Sequence, residues 1–404
     1  MIFFLIPLSF ILIAPVLNDG TNLPRSLLVS IVPFIIYAIK PFSLKPYIIV
    51  LIPLCINLVW LLIVWITQDN QSYADFLLGA YGRNMGFLFL TGVYFCLILS
   101  AHAARKLKNI NILFQMLNIT MYLGIFYGML QFLGIDPINW TNKSLIYLTF
   151  GNTNQASAFF GVFTVLPIVQ IFIGKKDKAK NVFTLSLLFF LISETDSSQG
   201  FLLLLFNLVC VILLNKLSIM RKRASKLGKK ITILSSVFVI LISGFTSVQN
   251  FAVIERSLQI KARTFQWQIG IDAWLSNFWF GVGLEHLYQF SGIYVKPDYV
   301  KNYGGYTLTD HSHNLFVDFF AFGGFIAGIS WIIFLFVIVK FLIGIYRSKR
   351  QVLNLVQNQI LFIIFVNFVL ISLISPNSLF LFLLVMVVAG VITRVNIDSR
   401  KIIQ

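Results

Sequence analysis

Long apolar runs joined by short polar connections constrain this chain more than any other feature. A bilayer offers the backbone no hydrogen-bond partner, so a crossing segment of about 20 apolar residues must close its own bonds as a helix. About twelve such runs are legible, at roughly 2–17, 26–40, 47–66, 84–102, 110–134, 154–174, 182–194, 200–216, 231–249, 313–340, 359–374 and 379–394. They are continuous rather than alternating, which argues against a membrane β-barrel. Composition agrees: 58% of residues are hydrophobic and 11% charged, too few polar groups to cover a water-soluble domain. The expected fold class is all-α. It is a polytopic membrane protein of about twelve transmembrane helices, with 1–404 forming one transmembrane domain. The first run has neither a basic flank nor a small-residue cleavage site, so it is expected to stay as the first helix.

A net charge of +17 raises the possibility of nucleic acid, but its distribution excludes that reading. With the N-terminus inside, the inner connections hold most of the 31 basic residues, in clusters such as Arg105-Lys106-Leu-Lys108 and Arg221-Lys222-Arg223. Of the acids, only Asp177 and Asp398 fall there. This is the positive-inside pattern, and it predicts an inner membrane with both termini cytoplasmic. Cys55, Cys96 and Cys210 all lie within spans, so neither a disulfide nor thiol chemistry is expected.

One connection is long, at about 250–312 between the ninth and tenth spans, and it faces outward. Its aromatic and aliphatic content demands burial rather than disorder. From Glu255 to about Leu275 the pattern predicts an amphipathic helix with Arg263, Trp267 and Trp274 near one face, suited to the membrane interface. Asn277-Phe-Trp-Phe-Gly281-Val-Gly283 reads as a turn, followed by a tyrosine-rich stretch through Tyr288, Tyr294, Tyr299, Tyr303 and Tyr306. Aromatic faces beside hydroxyls suit sugar rings as well as interface packing.

Polar residues gather on the outer face in five clusters that are distant in sequence. They are Gly79-Ala-Tyr-Gly82-Arg83-Asn84-Met-Gly86; Gly151-Asn152-Thr153-Asn154-Gln155; Glu194-Thr-Asp196-Ser197-Ser198-Gln199-Gly200; Arg256, Lys261 and Arg263; and Asp310-His311-Ser312-His313-Asn314. Ionisable groups at membrane depth are functional candidates by default. Arg83 and Arg263 also fit interfacial anchors, and Asn152 and Asn154 also fit helix caps. His311 and His313 lack the further ligands a metal site needs, so no metal and no cofactor is expected. A histidine beside Asp310 suits general-base work instead, with Asp310 and His313 on one face if the helix starts there. Neither a phosphate-binding loop nor a dinucleotide fingerprint is present, so a nucleotide donor is not expected.

At these clusters the sequence resembles the O-antigen ligase and O-antigen polymerase superfamily of bacterial envelope glycosyltransferases. The likeness rests on Arg263 followed by Trp267, the Gly281-Val-Gly283 turn, and His313-Asn314 entering a helix that carries Gly324. It also rests on Gly79–Gly86, on Gly151-Asn-Thr-Asn154, and on Asp196-Ser-Ser-Gln-Gly200, where Gln199 stands in place of a common arginine. The resemblance implies a glycan carried on undecaprenyl diphosphate in the outer leaflet and transferred to a hydroxyl of a glycan or lipid acceptor. It further implies that Arg263 and Arg83, supported by Arg256, meet the diphosphate, and that His313 receives the acceptor proton while Asp310 or Asn314 holds its ring. His311, Asn154 and Trp267 complete the substrate contacts. A membrane transporter is the rival reading. It requires ionisable groups near the midplane, of which Asp318 is the nearest case.

Overall fold

In the computed structural model the structure describes residues 1–14, 19–68, 71–138, 145–174, 177–220, 260–303, 309–348, 353–375 and 378–401. Among these the chain is helical, with no strand. The helices are α1 (Leu5–Ile11), α2 (Asn22–Ile39), α3 (Ile48–Thr67), α4 (Tyr73–Leu78), α5 (Phe87–Ala103), α6 (Leu107–Phe132), α7 (Thr153–Phe163), α8 (Val165–Phe172), α9 (Lys178–Ser193) and α10 (Gln199–Met220). Beyond residue 259 they are α11 (Ile260–Ser276), α12 (Leu287–Tyr294), α13 (Pro297–Tyr303), α14 (Leu315–Arg347), α15 (Leu355–Ser372) and α16 (Leu379–Lys401). Among the described residues seven helices are long and apolar enough to cross a membrane, and three shorter apolar ones, Ile2–Ile11, Phe87–Ala103 and Gln199–Asn215, accompany them. Eleven of the expected runs coincide with helices; the run at 231–249 lies outside the described residues.

The interior is organised around α5, which packs between α2 and α16, while α3 lies along α14 and α10 lies along α7. The α16 segment is buried almost throughout, from Leu379 to Ile392, whereas α3 turns Ile48, Ile49, Ile52, Ile56 and Val59 outward. Exposed isoleucines on a spanning helix face lipid, where they cost nothing, so packing rather than hydrophobicity must join the helices. Buried polar groups supply part of that joining. Asn57 on α3 donates to Ala327 O at 3.0 Å and Ser330 Oγ at 3.1 Å on α14, and accepts from Tyr94 on α5 at 3.1 Å. Arg25, fully buried near the start of α2, donates to the Ser9 carbonyl at the end of α1 and to Thr149 O, at 2.8 and 2.6 Å. A helix end leaves such carbonyls unpaired, and the guanidinium fills that role here.

Helix α14 is not continuous. Gly323 and Gly324 leave helical geometry, with Gly324 at φ +64. The 277–283 turn closes the break: Val282 N donates to Ala321 O at 2.8 Å, Gly283 N to Phe322 O at 3.0 Å, and Phe325 N to Phe278 O at 2.8 Å. From α3, the Trp60 indole donates to Gly323 O at 2.8 Å and Gln68 to Gly281 O at 2.9 Å. Gly323, Gly324 and Gly328 are small enough to let a span pack closely against a neighbour, but the helix is opened at the first two and stitched by a loop. Irregular backbone at membrane depth persists only where protein satisfies it.

Helix α11 runs alongside the start of α14 in the same direction. Gly270 abuts Ser312 and Val317, Trp274 lies 4.5 Å from Phe320, and Phe278 lies 5.4 Å from Phe325. The helix thus descends with α14 to the level of the break, the 277–283 turn docks there, and the chain returns through α12. Phe278, Trp279 and Phe280 at the tip remain exposed. Arg263 is on the inward side of α11 at 6% exposure, so it does not lie on an outer, interfacial face.

Candidate active site

The segment Thr309–Asn314 precedes α14 and is not helical. Asn314 is the N-cap, its side-chain oxygen accepting from Phe316 N at 3.0 Å and Val317 N at 3.3 Å. The expected shared helix face for Asp310 and His313 is therefore corrected: both lie before the first turn. Neither holds the other as expected. Asp310 binds Arg83, with Nε at 2.5 Å and Nη2 at 3.3 Å, while Asn314 is committed to the cap.

The two histidines have opposite surroundings. His311 is buried, its Nδ1 3.0 Å from Asp318 and its Nε2 3.5 Å from Glu285. Burial opposes its charge, but the two carboxylates outweigh burial and push its pKa up to about 10, so the ring is an imidazolium at neutral pH. Nδ1 is hydrogen-bonded to Asp318 and Nε2 faces the Glu285 carboxylate, which makes His311 a brace rather than a substrate contact. Asp318 also accepts from Ser312 N and Ser312 Oγ, each at 2.7 Å, so this pair fixes the backbone beside His313.

His313 is in the left-handed region at φ +56, and its Nδ1 is buried without a hydrogen-bond partner among the described residues. Burial and the positive charges of Arg263 and Arg83 lower its pKa to about 3, against weaker opposite contributions from Asp310 and Asp318. The ring is thus neutral, with a lone pair available, and it feels the charge of both guanidinium groups. Asp310 is held well below the usual carboxylate range by Arg83 and His311 despite its burial, and Arg83 is correspondingly raised. Burial lowers Arg263 to about 10.

Positive backbone angles concentrate here. Gly79, Gly82 and Asn84 surround Arg83; Gly281, Gly283 and Glu285 form the turn; His313 and Gly324 lie at its far side. Left-handed non-glycine residues cost free energy and cluster where side chains must be aimed.

Of the residues singled out in sequence, Arg83, Arg263, Asp310, His311, His313 and Asn314 come together. Trp267 lies one turn along α11 from Arg263, half-buried, with its indole N–H unpartnered among the described residues. Asn154 stands apart on α7, where its oxygen accepts from Ser197 at 2.8 Å, and Asn152 caps the same helix. Arg256 and Tyr306 fall outside the described residues. Sequence reasoning missed Glu285 and assigned Asp318 only a place near the midplane. The signal for Glu285 was an acid next to the Gly281-Val-Gly283 turn, in a stretch with no Lys or Arg between Arg263 and Lys296. Among the described residues no three of His, Cys, Asp and Glu form a group able to hold a metal ion.

The architecture and site define an all-helical membrane protein with a neutral histidine placed among arginines at the ends of its spans. Residues 182–332 match the family model described as O-antigen ligase. That match supports the superfamily the sequence resembles and a glycosyltransferase-type activity. It includes Arg263, Glu285, His311 and His313, whereas Arg83 lies before it. None of the curated proteins matches the chain.

Proposed function

We propose that this protein transfers or polymerises a glycan from an undecaprenyl-diphosphate-linked donor to an acceptor hydroxyl during surface-polysaccharide assembly. The site faces outward from a bacterial inner membrane, in a fold of about twelve spans with both termini cytoplasmic. The observation that carries the reading is the buried Nδ1 of His313, without a partner among the described residues, in the field of Arg263 and Arg83.

The acceptor oxygen attacks the anomeric carbon of the donor, the bond from that carbon to the phosphate oxygen breaks, and the lipid diphosphate leaves with the electron pair. Negative charge grows on the diphosphate, and Arg263 and Arg83 meet it with planar, bidentate N–H groups. The acceptor proton passes to His313. In the empty site a ring with a pKa of about 3 is a weak base, held so partly by the two arginines. A bound diphosphate offsets their field, and the ring's proton affinity rises when donor is present. The basicity of His313 is thus coupled to occupancy, which restrains proton uptake in the empty site.

The test is complementation of a deletion strain by His313→Ala and Arg263→Ala, with membrane insertion checked and surface glycan resolved by gel. Loss of transfer by roughly 10²-fold or more is expected for His313→Ala, the usual range for a general base. Intact transfer in both variants would refute the assignment. In the deletion itself, single repeats on the core identify a polymerase, and free lipid-linked polymer a ligase.

A further inference from the structure

Glu285 has no role in the chemistry above, yet it is among the most enclosed acids in the molecule. It is 4% exposed, and it stands at φ +54 immediately after the stitching turn. Its Oε2 accepts from Ala80 N at 2.7 Å and from Met85 N at 3.2 Å. Those two N–H groups are close to the two ends of the loop that carries Arg83 at its centre. The same oxygen lies against Gly79, where a Cβ would collide with it. Its Oε1 faces His311 Nε2 at 3.5 Å. Gln71, just before α4, donates to the neighbouring Leu284 O at 2.5 Å, which pins the backbone from a third side.

We propose that Glu285 is a positioning residue for Arg83: by gripping both ends of the 79–86 loop while facing His311, it sets where the Arg83 guanidinium meets an anion. The inference rests on the reading that Arg83 contacts the donor diphosphate. The loop needs such a clamp because its own backbone bonds are few. Arg83 N and Asn84 N both turn to Ala80 O, and Gly86 N reaches Leu78 O only at 3.4 Å. Without the carboxylate, two N–H groups are left unpaired and the loop is free to reorganise. Glu285 also acts on Arg83 directly, since its charge is among those that stabilise the guanidinium.

Glu285→Gln keeps the shape but cannot satisfy both neighbours. With its oxygen towards the loop, its NH₂ meets the charged His311; turned round, its NH₂ meets the loop N–H groups. Either way a donor faces a donor. The probe is undecaprenyl diphosphate, titrated into the purified protein in lipid nanodiscs. Glu285→Gln and Arg83→Lys are each expected to weaken binding about tenfold, and the double variant also about tenfold, because both remove one contact; independent losses would multiply to about a hundredfold. Glu285→Asp, which keeps the charge but not the reach, is the second variant. It is expected to weaken binding about threefold, again without adding to Arg83→Lys. Multiplying losses, or wild-type binding by Glu285→Gln, overturns the positioning role. Wild-type binding by Arg83→Lys overturns the diphosphate reading of Arg83 itself, and the positioning role with it.

Discussion

Replacing Gly281 by alanine isolates the stitch that holds the break in α14. At φ +67 a side chain costs about 1 kcal/mol from the left-handed conformation alone. Space adds to that cost. The new Cβ would overlap Ala321 O and come within 2.7 Å of Gly324 N and 2.8 Å of Phe322 C. These are backbone atoms, which cannot rotate away, so the turn must lift. Lifting breaks the bonds from Val282, Gly283 and Phe325, three in all, at about 1 kcal/mol net each. The expected cost is therefore about 4 kcal/mol. Gly82→Ala is the control: φ is +81, but nothing lies within 4 Å of its Cβ, so only the conformational cost of about 1 kcal/mol remains. Thermal unfolding with a thiol-reactive dye measures both, since Cys96 and Cys210 are buried and the exposed Cys55 can be changed to serine. The destabilisation in Gly281→Ala should be about four times that in Gly82→Ala. Equal shifts would mean that the turn is not bonded into the break.

Three further outcomes are expected. His311, raised to about 10, stabilises the fold fully below the ordinary histidine pKa near 6.5, and that contribution fades as pH rises through about 10. The melting-point gap between wild type and Asp318→Asn should therefore narrow from pH 7 to 10.5; a constant gap would count against the ion pair. His313, lowered to about 3, has the opposite sign: stability falls as pH drops from about 6.5 towards 3, and His313→Gln should flatten that acid slope. Asn57→Ala strips partners from Ala327 O, Ser330 Oγ and Tyr94, all buried, and should cost about 2–4 kcal/mol in the dye assay; a change below half a unit would show those bonds to be idle.

Much of this was legible in the chain because spans are a local property. Hydropathy over twenty residues locates α3, α6 and α15 without any knowledge of their neighbours. The gathering of Arg83, Arg263 and His313 was also legible, since one membrane face must receive the outer ends of the helices. What escaped was pairing. Asp310 lies two residues after Leu308 and three before His313, and local spacing favoured the histidine. The carboxylate instead meets Arg83, more than two hundred positions earlier. Charge complementarity across a fold has no sequence period, so it cannot be read from spacing. Glu285 escaped for the same reason: its two N–H partners lie on another loop. The break at Gly323-Gly324 was half-visible. Paired glycines signalled close packing, but the loop that repairs the opening becomes apparent only when 277–283 is placed against it.

That repair sets an order of assembly. The turn is synthesised some forty residues before Gly323 and Gly324 leave the ribosome, so it must wait, unpaired, for its counterpart. When α14 enters the bilayer, the open backbone at Ala321 and Phe322 has nothing to bond until that earlier segment swings in beside it. A nascent α14 is therefore an incomplete span that depends on a piece already synthesised. Truncated chains ending shortly after Arg347 should hold this helix only when residues 260–283 are included. His313, which precedes the break, acquires its final setting at that docking step, so immature chains carry the site's residues without their geometry.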